Sequence, residues 1–177
     1  MSRRAVFFDR DGTLMEETHY CSDPAQVRVF EGAGDALDLL RAAGFAVVVV
    51  SNQSGIGRGF FTVEQYRAVE AEFLRQIGAG RIDRSYFCPD APGAPSICRK
   101  PEPGMLLAAA RDLDLDLVQS WMVGDKAGDI ECGRRAGTRT ILVRTGYGAG
   151  EPCSSDFAAV DVAEAAGIIL KALLGPA

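Results

Sequence analysis

Short apolar runs alternate along this chain with segments whose apolar residues recur every three or four positions. The first run, Ala5–Phe8, is continuous and stops at Asp9. The second, Phe45–Val50, is rich in valine and stops at Ser51-Asn52-Gln53. Runs that are apolar on both faces suit buried strands of a parallel sheet. Between them, Gly34–Ala43 carries Ala36, Leu39, Leu40 and Ala43 at helical spacing, with Gly44 placed to end the helix. Thr62-Val63-Glu64-Gln65 fits a capping box. Val63, Tyr66, Val69, Phe73 and Ile77 then form one helix face.

Further strands are predicted at Arg84–Cys88, Trp121–Val123 and Thr140–Val143, and helices at Pro103–Arg111, Gly128–Ala136 and Asp161–Leu174. The last shows Val162, Ala165, Ala166, Ile169, Leu170 and Leu173 on one stripe. Pro89, Pro92, Pro95 and Pro101 make Cys88–Pro101 an irregular loop, and Tyr147–Asp156 reads as a second loop. No repeat or interdomain linker interrupts the pattern. The alternation predicts one α/β domain over residues 1–177, a three-layer Rossmann-like arrangement with a mostly parallel sheet. Ligands of such folds sit beyond the C-terminal ends of the strands, so the chemistry is sought just after each apolar run.

Composition narrows the partners. With 177 residues and 47% hydrophobic residues the chain can bury a core. A formal net charge of -5 and a pI near 4.9 argue against a nucleic-acid partner, whose phosphates favour basic domains. No apolar run is long enough to cross a bilayer. Only Ala5–Phe8 separates Met1-Ser2-Arg3-Arg4 from Asp9, so no secretion signal is expected and a cytoplasmic location is. The five cysteines, Cys21, Cys88, Cys98, Cys132 and Cys153, are odd in number and are expected to be reduced thiols.

The first strand leads into Asp9-Arg10-Asp11-Gly12-Thr13. In extended backbone, residues two apart face the same side, so both carboxylates address one site. Two carboxylates at one mouth call for a cation, and oxygen ligands favour Mg²⁺. One carboxylate then suits a nucleophile and the other a general acid/base. The same residues also suit a capped turn. A calcium loop is excluded, because its glycine position holds Leu14 and its closing acid falls on Tyr20.

The second strand ends at Ser51-Asn52-Gln53-Ser54-Gly55-Ile56-Gly57-Arg58-Gly59, where a hydroxyl and backbone N–H groups suit phosphate oxygens and Arg58 suits a substrate. A dinucleotide-binding turn would need glycine where Phe60 stands. Arg99-Lys100 is an ordinary surface pair in isolation, but near a phosphate it becomes a charge clamp. Trp121-Met122-Val123 leads to Gly124-Asp125-Lys126-Ala127-Gly128-Asp129. Asp125 supplies a third carboxylate. Asp129 suits either a water-mediated ligand or the first-turn acid of the next helix.

Taken in this order, Asp9-x-Asp11-Gly12-Thr13, Ser51-Asn52-Gln53, Lys100 and Gly124-Asp125-x-x-x-Asp129 resemble the four motifs of the haloacid dehalogenase-superfamily phosphatases. The resemblance implies Asp9 as the phosphorylated nucleophile, Asp11 as acid/base, and Ser51 and Lys100 as phosphate ligands. It also implies Mg²⁺ held by Asp9, the Asp11 backbone carbonyl and Asp125. Cys98-Arg99-Lys100-Pro101-x-Pro103-Gly104-Met105 and Ser51–Gly59 are similar to the D-glycero-D-manno-heptose 1,7-bisphosphate 7-phosphatases. Those enzymes serve the synthesis of activated heptose for bacterial surface glycans. This likeness implies a small phosphorylated sugar as partner, with Arg58, Arg99 and Lys126 as contacts to it and Asn52 and Gln53 beside its phosphate.

The chain departs from that family's zinc loop, Cys-x-His then Cys-x-Cys, by reading Cys88, Asp90, Ser96 and Cys98. Serine is a poor zinc ligand, so no structural Zn²⁺ is expected there. No insertion is long enough for a large cap domain, which leaves Glu16–Pro24 and Cys88–Pro101 to shape the pocket; a monomer is favoured. His19, the sole histidine, is expected to be a solvated loop residue. The rival readings are a histidinol-phosphate phosphatase, a polynucleotide 3′-phosphatase and, outside enzymes, a phospho-receiver-like signalling domain. A Ser-His-Asp hydrolase is disfavoured for want of a Gly-x-Ser-x-Gly elbow.

Overall fold

The computed structural model describes residues 2–174. Six strands form one wholly parallel sheet: β1 (Ala5–Phe8), β2 (Ala46–Asn52), β3 (Arg84–Cys88), β4 (Trp121–Gly124), β5 (Arg139–Val143) and β6 (Phe157–Ala159). Their order is β3-β2-β1-β4-β5-β6. The chain winds outward from β1 through β2 to β3, then crosses back to β4 on the other side of β1, so the crevice of the sheet opens between β1 and β4. The predicted parallel α/β fold is therefore the observed one, and among the described residues no cap domain stands over it.

Six helices flank the sheet: α1 (Ala33–Ala42), α2 (Ser54–Gly57), α3 (Val63–Ile77), α4 (Gly104–Leu113), α5 (Ala127–Ala136) and α6 (Val162–Ala172). Alternate residues of the central strands point to opposite layers. Val6, Phe8, Val47, Val49 and Val123 pack with α1, α3 and α6, whereas Ala5, Phe7, Val48, Val50 and Met122 pack with α4 and α5. Both faces of β1 are fully buried, which explains why it reads as an unbroken apolar run.

Several local expectations hold in detail. Thr62 caps α3 through the Gln65 N–H while the Gln65 side chain accepts from the Thr62 N–H, and Tyr66, Val69, Phe73 and Ile77 are buried. Gly44, at φ 88°, takes the left-handed turn after α1. The buried stripe of α1 is Ala33, Ala36, Leu37 and Leu40, however, and Leu39 is exposed. Leu37 faces the core because the helix is seated on the sheet through Ala33, Ala36, Leu37 and Leu40. The edge strand β6 and the single turn α2 were not predicted. No helix among the described residues is long and apolar enough to cross a membrane.

Candidate active site

The ends of β1, β2 and β4 and the loop before α4 converge on a cavity of about 240 Å³. Asp9 follows β1, its N–H donating to the Val123 carbonyl of the neighbouring strand at 3.0 Å. Lys100 reaches it from the proline-rich loop. Its Nζ lies 2.8 Å from Asp9 Oδ1 and 2.7 Å from Asp129 Oδ1, and it donates to the Val50 carbonyl at 2.8 Å. The ammonium is thus fully engaged in a nearly dry setting. Burial alone would lower its pKa, but Asp129 and Asp9 outweigh that and hold it above the ordinary lysine range.

Asn52 fixes how Lys100 arrives. Its side-chain Oδ1 accepts from the Lys100 N–H and its Nδ2 donates to the Lys100 carbonyl, both at 3.0 Å. Expected beside the substrate phosphate, Asn52 also acts as a brace between β2 and the lysine loop. Gln53 Nε2 donates to Ser51 Oγ at 2.8 Å and to Asp11 Oδ2 at 2.9 Å, which ties the second strand end to the first.

Asp125 stands at the end of β4, buried, with Oδ2 accepting from the Tyr147 N–H at 2.8 Å. Gly12 and Gly146 press against it: a Cβ on either would lie 2.3 Å from Asp125 Oδ2. Gly12 also sits at φ 90°, so both space and backbone demand glycine. Burial, then Asp9 and Asp129, push the Asp125 carboxyl up to about 8. The carboxyl of Asp9 is likewise raised, by burial first, with Lys100 opposing.

Asp9, Asp125 and Asp129 each place a carboxylate oxygen within 4.8 Å of the others. Asp125 Oδ1 is buried with no hydrogen-bond partner. When all three are ionised, three carboxylates against one buried ammonium leave two negative charges unmatched, and every donor is oxygen. This set fits a hard divalent cation such as Mg²⁺. Asp129 is more than a first-turn acid: Oδ1 meets Lys100 and Oδ2 accepts from the Lys126 N–H at 3.1 Å.

The expected substrate contacts separate. Arg99 and Lys126 line the cavity, Lys126 Nζ lying 3.1 Å from Glu17 Oε2 and 4.6 Å from the centre of the Tyr147 ring. Arg58 is not among the lining residues; it is exposed beside the rings of Tyr20 and Phe60. His19 is exposed in its loop, as expected, and it also lines the cavity rim, its Nδ1 lying 3.0 Å from Tyr147 Oη. The Glu16–Pro24 loop shapes the pocket as expected. From the proline-rich segment only Arg99 and Lys100 reach it, and Asn52, Gln53, Ser54 and Tyr147 line much of the remainder.

Two features escaped the sequence reading. Arg10 is buried against Asp11 and Glu70, an arrangement that needs α3 to be in place. Cys88 and Cys98, expected as reduced thiols, are joined in a disulfide with Cα atoms 5.6 Å apart. The loop between them doubles back and brings the end of β3 against Cys98. Asp90 Oδ2 and Ser96 Oγ lie against both sulfurs. Cys21, Cys132 and Cys153 are free.

A family model described as HAD-hydrolase-like matches residues 97–166. The chain is 40% identical over 161 residues to a D-glycero-D-manno-heptose-1,7-bisphosphate 7-phosphatase of Thermosynechococcus vestitus, covering 84% of this chain and 82% of that one. The chain belongs to the haloacid dehalogenase-like phosphatases. A phosphatase of Escherichia coli K12, named for the β anomer of the same heptose bisphosphate, is 41% identical over 154 residues, 80% of each chain. Among solved structures, this phosphatase superposes on the D,D-heptose 1,7-bisphosphate phosphatase of B. bronchiseptica, crystallised with magnesium and phosphate. That match has a TM-score of 0.86 at 30% identity and covers 96% of this chain and 99% of the other.

Proposed function

We propose that this phosphatase removes the 7-phosphate of D-glycero-D-manno-heptose 1,7-bisphosphate through an aspartyl-phosphate on Asp9. The observation that carries the mechanism is the buried junction of Asp9, Lys100, Asp125 and Asp129 at the mouth of the parallel sheet. The substrate assignment rests on relatives of about 40% identity that bear this name.

Asp9, Asp125 and the backbone carbonyl of Asp11 would hold Mg²⁺, with Asp129 beside them. A bound Mg²⁺ supplies charge neutralisation for the phosphoryl oxygens. Lys100, already against Asp9, offsets the repulsion between that carboxylate and the incoming dianion, and Ser51 receives a phosphate oxygen. Asp9 attacks phosphorus. Asp11 protonates the departing sugar oxygen, then takes a proton from the water that hydrolyses the acyl phosphate. Arg99 and Lys126, on the cavity wall, face the remainder of the substrate, and Arg58 meets it only at the outer edge.

The test is phosphate release from both anomers of heptose 1,7-bisphosphate beside histidinol phosphate and a 3′-phosphorylated oligonucleotide, with Mg²⁺ and with chelator. The expected result is Mg²⁺-dependent release strongest from one heptose anomer, and its loss in a folded Asp9→Asn variant. Faster release from either of the other substrates would overturn the sugar assignment. Residual turnover in Asp9→Asn, free of contaminating phosphatase, would overturn the nucleophile.

A further inference from the structure

Arg10 lies between the two motif aspartates, at a bend just past β1, its carbonyl accepting from the Leu14 N–H at 3.0 Å. Its side chain is fully buried and curls back to fork onto Asp11. Nε donates to Asp11 Oδ2 at 3.2 Å and Nη2 to Asp11 Oδ1 at 3.1 Å. Nη1 donates to Glu70 Oε2 at 2.9 Å. Tyr66, on the same helix α3, donates its hydroxyl to that oxygen at 3.3 Å and sets its ring 5.3 Å from the guanidinium carbon. Glu70 Oε1 is buried with no partner.

Burying a guanidinium with two carboxylates is rarely a gain in stability, because desolvation offsets the attraction. What the arrangement does achieve is a fixed rotamer for Asp11. A planar fork constrains the carboxylate plane as a point charge could not. Asp11 Oδ2 accepts from Arg10, Gln53 at 2.9 Å and Ser51 at 3.4 Å, whereas Oδ1 accepts from Arg10 alone. Oδ1 therefore keeps room for a proton. Glu70 balances the guanidinium, so that orientation is achieved without a net positive charge beside the acid.

We infer that Arg10, backed by Glu70 and Tyr66 from α3, is a positioning residue that aims Asp11 at the leaving-group oxygen, with Oδ1 as the proton-carrying atom. This rests on the reading of Asp11 as the acid/base. It predicts an effect that depends on the leaving group. A sugar alkoxide needs the proton, whereas p-nitrophenolate departs with little help.

The experiment compares single-turnover phosphorylation by the panel sugar phosphate that wild type hydrolyses fastest with that by p-nitrophenyl phosphate. The variants are Asp11→Asn and the charge-matched double substitution Arg10→Met/Glu70→Gln, which removes one charge of each sign and leaves Asp11 with its hydrogen bonds from Gln53 and Ser51. Asp11→Asn is expected to slow the sugar phosphate about 10²-fold or more and p-nitrophenyl phosphate at least about tenfold less. The double variant is expected to show the same imbalance through kcat, with KM nearly constant. Thermal melting confirms that each is folded. If the double variant does not fold, Arg10→Lys is read instead; it keeps the charge without the fork and is expected to retain the imbalance. An imbalance in Asp11→Asn but none in the folded Arg10 variant overturns the inference and leaves the acid/base reading standing. Equal losses on both substrates in Asp11→Asn overturn that reading, and the inference with it.

Discussion

Replacing Asp125 by asparagine is expected to make the metal-free protein more heat-resistant while ending turnover. Asp125 is buried, one of its oxygens has no partner, and Asp9 and Asp129 crowd it. Its carboxyl titrates near 8 in the fold, against about 4 in an unfolded chain. Between those values the folded state keeps a proton that the unfolded state has released, so stability falls as pH rises from about 4 toward 8. At about 1.4 kcal/mol per unit, the full span amounts to about 6 kcal/mol. For a chain of this length, 1 kcal/mol moves the melting temperature by roughly 2–4 °C, so the effect is roughly 10–20 °C. Asparagine carries no charge and removes this dependence. Melting in chelator at pH 5, 6.5 and 8 is therefore expected to show a gap in favour of Asp125→Asn that widens with pH and levels off above about 8. Added Mg²⁺ is expected to narrow it by stabilising wild type, by about 2.7 kcal/mol at a hundred times Kd. A gap that is constant with pH, or a variant that melts below wild type at pH 8, would refute the reasoning.

Lys100→Met leaves Asp9 and Asp129 without their shared cation, so a loss of about 3–5 kcal/mol in chemical denaturation and of measurable turnover is expected. Gly12→Ala places a Cβ against Asp125 at a φ of 90°. It is expected to lower the melting temperature and abolish activity, and an active, wild-type-stable alanine variant would contradict the packing. Asn52→Leu removes both hydrogen bonds to the Lys100 backbone; a cost of about 1–3 kcal/mol in urea unfolding is expected, with activity reduced as the ammonium loses its register. Burial pushes the Cys132 thiol up to about 12, so iodoacetamide at pH 8 is expected to label the half-exposed Cys153 in the native protein and to reach Cys132 only after unfolding, as read by mass spectrometry.

The central strands were legible because they are buried on both faces: Ala5–Phe8 reads as four apolar residues and is a strand over those same four. The edge strand Phe157–Ala159 was not, since it has three residues and two are exposed. On α1 two stripes fit the spacing equally well, and only the packing of the helix on the sheet decides for Leu37 over Leu39. Asp9, Lys100 and Asp125 could be picked out because each follows a strand or a breaker-rich loop, and Asp129 because it stands in the first turn of α5 just beyond Asp125. The Arg10 fork could not, because Glu70 lies sixty positions away on a helix whose buried face advertises packing alone. The pairing of Cys88 with Cys98 was hidden by an odd cysteine count and by a loop whose path only the fold reveals.

The amide of Asn52 pairs with the Lys100 peptide as a neighbouring strand would. The lysine is thereby registered against β2 rather than by the length of chain that delivers it. Residues 89–97 become a removable span, anchored beyond its end, that can be shortened, lengthened or exchanged while the ammonium stays aimed at Asp9. In this architecture the loop that flanks the cavity without lining it and the reactive floor are mechanically separate parts, open to change one at a time.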